Sequence, residues 1–175
     1  MKNSMLTERL QNEVAALLKT VEKTPEEAFF KQLHAEKWSI GQNIAHLCES
    51  SKPLVSLFGK PELMEQFGRS SRTSQTYEDV MDMYVTALRT PPPRLLAYRH
   101  IDTEGSKTEI LGNLHSISTK LLERVGNFSD NDLDIYQIKH PLLGLMTARE
   151  MLHFTAYHTR HHHDIIEKIV VSFPE

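Results

Sequence analysis

Residues Thr147 to Val171 read TAREMLHFTAYHTRHHHDIIEKIVV, and this stretch decides the fold. Thr147 and Glu150 have the S/T-x-x-E/Q spacing of a capping box, in which each side chain satisfies an orphan amide of a first helical turn. Met146 and Met151 stand at the positions of a hydrophobic staple. The spacing predicts a long helix from about 148 to 171, with Met151, Leu152, Ile165, Ile166 and Ile169 as core candidates. Five of the chain's 10 histidines lie between His153 and His163. Only His161, His162 and His163 are consecutive, and patterned apolar sequence follows them, so the cluster belongs to the fold and is not a purification tag.

Histidines four apart on a helix differ by roughly 40° and one turn, so His158 and His162 project from one face. That is the spacing by which HExxH helices offer two nitrogens to one ion. His161 lies about 60° the other way from His158 and is the weaker partner. His153 and His163 are each about 140° round the helix from His158 and are excluded. A third ligand must come from another helix. His46, between Ile44 and Leu47 in an apolar stripe, is the best candidate, because a polar imidazole on a core-facing stretch wants a buried partner. Glu49, three residues on, points the same way and offers a fourth ligand, a hydrogen-bond acceptor behind a ligand, or a base. Cys48 points to the far side and is excluded. A hydrogen-bonded core histidine at 46 and an exposed pair at 158 and 162 would give the same pattern, so from the residues alone both readings stay open. His34, His100, His115 and His140 read as surface or loop residues. Arg69 and Arg72 read as a solvated loop with a minor prospect of facing a substrate.

Outward from this helix the remaining chain is also helical. Leu6, Leu10, Val14, Leu17, Leu18 and Val21 recur in three- and four-residue steps. Thr24 reads as an N-cap with Pro25 at the first helical position, opening one or two turns. Ser39 and Gln42 form a capping box ahead of a stripe of Ile40, Ile44, Leu47, Leu54, Leu57 and Phe58, with Pro53 expected to kink or end that helix. Tyr77, Val80, Met81, Tyr84 and Leu88 predict a further helix after the polar loop 68–74, stopped by Pro91, Pro92 and Pro93. Ser106 and Glu109 cap another, carrying Ile110, Leu114, Ile117, Leu121 and Val125, with Gly126 placed for a left-handed C-terminal cap. No stretch alternates as a strand would. The expectation is an all-α four-helix bundle, a single domain over residues 1–175, with an insertion between the second and third main helices.

Composition fits that class. The 175 residues are 39% hydrophobic and 25% charged, ordinary for a globular chain. A formal charge of −3 argues against a nucleic-acid partner held by phosphate neutralisation. One cysteine excludes an internal disulfide framework. No run approaches the roughly 18 apolar residues of a membrane helix, and the N-terminus lacks a signal core, so a cytoplasmic protein with no membrane partner is expected.

Three stretches carry a family likeness. They are Trp38-Ser-Ile-Gly-Gln-Asn-Ile-Ala-His46-Leu47, His140-Pro-Leu-Leu-Gly-Leu-Met-Thr147, and His158-Thr-Arg-His-His162. In order and position they resemble the W-S-x6-H-L, H-P-x-x-G-x-x-T and H-x-x-x-H motifs of the DinB/YfiT-like superfamily of metal-binding four-helix bundles. The likeness spans roughly residues 5–170, and the segment from Gly68 to Leu88 looks like the insertion of one branch. The resemblance implies a divalent ion, zinc or nickel, on His46, His158 and His162, with open positions for water or substrate. It also implies a range of chemistries: thiol-S-transferases that use a low-molecular-weight thiol, thiol-dependent isomerases and hydrolases. A homodimer is implied as well.

Two functions from different classes follow. The first is metal-assisted hydrolysis or thiol transfer on a small molecule, since three imidazoles leave an open position as catalytic sites do. The alternative is a non-catalytic metal- or small-ligand-binding bundle. Haem binding by bundle histidines is a third, which an absorption spectrum would settle.

Overall fold

The computed structural model describes residues 2–34, 37–90 and 101–173. Four long helices carry the fold: α1 (Asn3–Glu22), α3 (Ile40–Gly59), α5 (Lys107–Val125) and α7 (Ala148–Val171). A short α2 (Glu26–Phe30) follows α1, and α4 (Tyr77–Leu88) lies in the insertion between α3 and α5, after two 3-10 turns. Between α5 and α7 come a short α6 (Asp130–Ile135) and an antiparallel hairpin of β1 (Gln137–His140) and β2 (Gly144–Thr147).

α1 packs chiefly on α7 and α5, and α3 packs chiefly on the same two. The first and second main helices are therefore diagonal in the bundle. Side-chain contacts give the directions. Asn3 donates to the Val125 and Phe128 carbonyls while Lys107 reaches the Glu22 carbonyl, so α1 and α5 run antiparallel. Thr20 meets His163 beyond the middle of α7, so α1 and α7 run parallel. Asn43 meets His162 and His46 meets His158, so α3 and α7 run antiparallel.

Periodic apolar stripes build the interior. Leu6, Leu10, Val14, Leu17 and Val21 are buried along α1, and Ile40, Ile44, Leu47, Leu54 and Phe58 along α3. Capping boxes start the helices at Ser39, Ser106 and Thr147, as their spacing predicts. Two more, Thr76 with Asp79 and Ser129 with Asp132, use the shorter carboxylate for the same reciprocal bonds. Leu18, Leu57, Ile117 and Ile169 are only partly buried.

Several expectations are corrected. The hairpin is strand where none was expected, because two four-residue strands are too short to show alternation. Pro53 does not end α3, which continues to Gly59. Thr24 is not the cap of α2, whose N-cap is Pro25. Gly126 has φ −57° and closes α5 in a right-handed conformation. The stop at Pro91, Pro92 and Pro93 lies outside the described residues, as does His100. Among the described residues no helix is long and apolar enough to cross a membrane.

Candidate metal centre and its cavity

The antiparallel packing of α3 on α7 brings three imidazoles together. His46 Nε2 and His162 Nε2 each lie 3.1 Å from His158 Nε2. The three ligand atoms all lie within 4.8 Å of one another, and among the described residues no other group of three or more His, Cys, Asp or Glu side chains does so. A tetrahedral ion with metal–nitrogen bonds of about 2.0–2.1 Å spaces its ligands by roughly 3.4 Å, so the cluster is close to the span that such an ion needs.

Tautomers support the same fit. Asn43 Nδ2 donates to the Ser39 carbonyl at 2.8 Å, which leaves its Oδ1 facing His162 Nδ1 at 2.7 Å. An amide oxygen only accepts, so His162 Nδ1 carries the proton and its Nε2 presents a lone pair into the cluster. His158 Nε2 then stands between two nitrogens, and one proton there cannot be well directed to both neighbours at 3.1 Å. A shared cation satisfies all three lone pairs at once.

Electrostatics keep the rings in the ligating form. Burial lowers the His46 pKa to about 4, with a smaller contribution from nearby His161. Burial, then the neighbouring imidazoles, hold His158 and His162 well below the usual histidine value. Neutral imidazole is the form that binds metal. Trp38 covers the cluster, its ring centroid 4.8 Å from His46 and 6.0 Å from His162, nearly parallel to the latter.

His46 and His158 line a cavity of about 930 Å³, of the size used for small molecules. Its wall is mostly apolar, with Leu54, Leu57, Ile138, Met151 and Phe154 among its residues, and Tyr84 beside them. Tyr84 is buried, and burial raises its hydroxyl pKa to about 12, so it remains a neutral phenol.

The other sequence candidates fall as follows. Glu49 lies at the cavity mouth, 62% exposed and paired with Lys52, and its carboxylate is not part of the histidine cluster. Sharing a helix face was insufficient, because its side chain turns towards the next turn's ammonium. His161 is half-buried against Tyr84 and Tyr157. His163 Nε2 meets Thr20 Oγ1 at 2.8 Å, and His153 is buried beside Tyr77, both away from the cluster. Cys48 is buried, and burial raises its thiol pKa to about 11.

Two expectations about this region are wrong. His140 is not a surface residue: it lines the cavity, packs on Phe154 with ring centroids 4.3 Å apart, and burial lowers its pKa to about 4. Arg72 is not merely solvated, because its guanidinium forks onto the buried Glu150 carboxylate, with one contact at 2.7 Å. Sequence reasoning also missed Asn43. The signal was present, since a polar amide three residues before His46 on an apolar stripe requires partners of its own.

Fold and cluster together define the class: a four-helix bundle that gathers three histidines from two antiparallel helices beside an apolar cavity, with two of them on its wall. A sequence profile of the DinB superfamily matches residues 9–166. The chain belongs to that superfamily. Comparison with curated proteins returns no match. Among solved structures, YfiT from Bacillus subtilis is similar, with a TM-score of 0.61, 15% identity, and coverage of 95% of this chain and 85% of that one. YfiT is described as a probable metal-dependent hydrolase with an unusual four-helix bundle topology. An uncharacterised protein from Clostridium difficile 630 is similar too, with a TM-score of 0.61, 12% identity, and coverage of 96% of this chain and 95% of that one. At these identities the likeness is one of fold.

Proposed function

We propose that this chain is a metal-dependent enzyme acting on a small molecule, with His46, His158 and His162 holding one divalent ion, zinc or nickel. The observation that carries the reading is the convergence of three neutral Nε2 atoms beside an apolar cavity that two of the histidines line, with no carboxylate or thiolate among the described residues closing the cluster. Structural zinc is usually closed by four protein ligands, whereas catalytic sites keep a position open. When bound, such an ion supplies Lewis acidity and a nucleophile active near neutral pH. Asn43 holds the His162 ring in one tautomer. Trp38 and the apolar wall exclude bulk water, which strengthens electrostatic effects inside. Hydrolysis is the leading reaction, supported by the description of YfiT. Transfer to a low-molecular-weight thiol is the variant in which the thiol replaces water.

The alternative, a non-catalytic metal- or ligand-binding bundle, is favoured by one observation: no carboxylate among the described residues joins the cluster to serve as its base. Metal analysis combined with turnover of an ester and amide panel, with and without added thiol, separates the two. Chelation should abolish turnover and zinc or nickel should restore it. Stoichiometric metal with no turnover on any substrate, and a lower melting temperature as the sole effect of chelation, would favour the binding protein.

A further inference from the structure

His140 ends β1, where the chain turns through Pro141 to Leu143 into β2. Its Nδ1 receives two backbone amides, from Leu142 at 3.2 Å and from Leu143 at 3.0 Å. A backbone N–H only donates, so Nδ1 must be the lone-pair nitrogen, and in the neutral ring the proton sits on Nε2. The turn occupies the Nδ1 edge of the ring. The opposite edge faces away from the turn, and the residue lines the cavity shared with His46 and His158. Among the described residues no side chain or carbonyl accepts from Nε2. The ring packs against Phe154 with planes 59° apart, and Phe154, itself buried, stacks on His158 with centroids 5.0 Å apart and planes 19° apart. One wall therefore runs from a fixed N–H donor, past the edge of a buried aromatic ring, to the histidine cluster.

The rest of the wall selects by charge. Leu54, Ile138, Leu142 and Met151 are apolar. The charged lining residues are Glu49, Asp102 and Lys139, all exposed. A charge placed among these apolar residues, away from the histidine cluster, would lose hydration without gaining a partner.

We propose that His140 Nε2–H is the donor that fixes an acceptor oxygen, such as a carbonyl, of an uncharged and mainly apolar small molecule held in this cavity. This rests on the cavity being the substrate site of the proposed function. It assigns the substrate class and a residue that determines specificity.

The test uses a matched pair of probes, acetophenone and α-methylstyrene, which differ in a carbonyl oxygen against a methylene group. Affinities are measured by nuclear magnetic resonance titration on the full chain, metal-loaded and chelator-treated. Acetophenone should bind about two- to tenfold more tightly, the size of one neutral hydrogen bond. The preference should be present without metal and should fall to about one in His140→Asn, whose side-chain oxygen still accepts from the turn amides but offers no donor at the Nε2 position. Independently of any variant, 15N spectra of the unsubstituted protein should show His140 as the Nε2–H tautomer. Equal affinities in the unsubstituted protein, a preference that survives His140→Asn, no binding of either probe, or an Nδ1–H tautomer would each overturn the proposal. Absence of any metal, together with a preference lost in His140→Asn, would instead sink the metal-dependent function and leave the His140 assignment standing.

Discussion

Asn43 bonds the Ser39 carbonyl through its nitrogen and His162 through its oxygen, so one amide sets both its own orientation and the tautomer of a candidate ligand. Partners of this kind typically change metal affinity 10–100-fold when removed. Asn43→Ala should therefore weaken the divalent ion by about that factor in a competition with a chelating dye. Asn43→Asp, which keeps an acceptor, should recover most of it. Unchanged affinity in Asn43→Ala would separate Asn43 from the centre. Single alanine substitutions at His46, His158 and His162 should each remove the ion, while His153→Ala and His163→Ala should leave one per chain. The His158 and His162 pair was legible because helical geometry alone puts residues four apart on one face. Glu49 was misjudged by the same rule, which gives a face but not where a flexible carboxylate ends, and Lys52 draws it to solvent. His140 was misread for another reason: its burial comes from a hairpin that the sequence did not announce.

The helix that carries two of the three histidines begins at an unusually well-held terminus. Glu150 is 1% exposed and accepts from the backbone amides of Thr147 and Gln75 and from the Arg72 guanidinium. Burial alone would raise its carboxyl pKa, but these donors, Arg72 first, hold it below the usual glutamate value. The unfolded chain therefore takes up this proton at higher pH than the folded one. The stabilisation is complete above the ordinary glutamate value and is lost as pH falls through the lowered folded value. Glu150→Ala leaves buried donors without acceptors and should lower stability by about 3 kcal/mol in chemical denaturation, whereas a surface glutamate such as Glu49 should change it by under about 0.5 kcal/mol. At the hairpin, Gly144 has φ +78°, and an added Cβ would meet nothing within 4 Å. Gly144→Ala should thus show only the conformational penalty, about 1–2 kcal/mol. Helix starts were legible where a Ser or Thr met Glu or Gln three residues on. The boxes at Thr76 and Ser129 escaped because their third residue is aspartate. The hairpin escaped because four-residue strands carry too little period-two signal.

Across the whole molecule, the bundle was legible from four apolar stripes, but its pairing was not. That α1 packs on α7 and lies diagonal to α3 depends on long-range contacts, such as Thr20 to His163 and Asn3 to the end of α5, which no local spacing records. The same packing buries several imidazoles in neutral form. Burial lowers both His140 and His153 from 6.5 to about 4, the latter helped by Arg149 and Arg9. Unfolded, these groups take up protons near 6.5; folded, only near 4. Stability should be full above 6.5 and should decline as pH falls across that window, with His153→Leu showing a shallower decline in pH-dependent denaturation. Chelation should lower the melting temperature, since an ion at a hundred times its dissociation constant adds about 2.7 kcal/mol of stability. The central claim is that three histidines from α3 and α7 hold one divalent ion. Metal content per chain, measured on tag-free protein alongside its His158→Ala variant, tests it most directly. One zinc or nickel per chain in the first and essentially none in the second is the result this account predicts. Metal-free protein that takes up no zinc or nickel on reconstitution, or full occupancy in the folded variant, would contradict it.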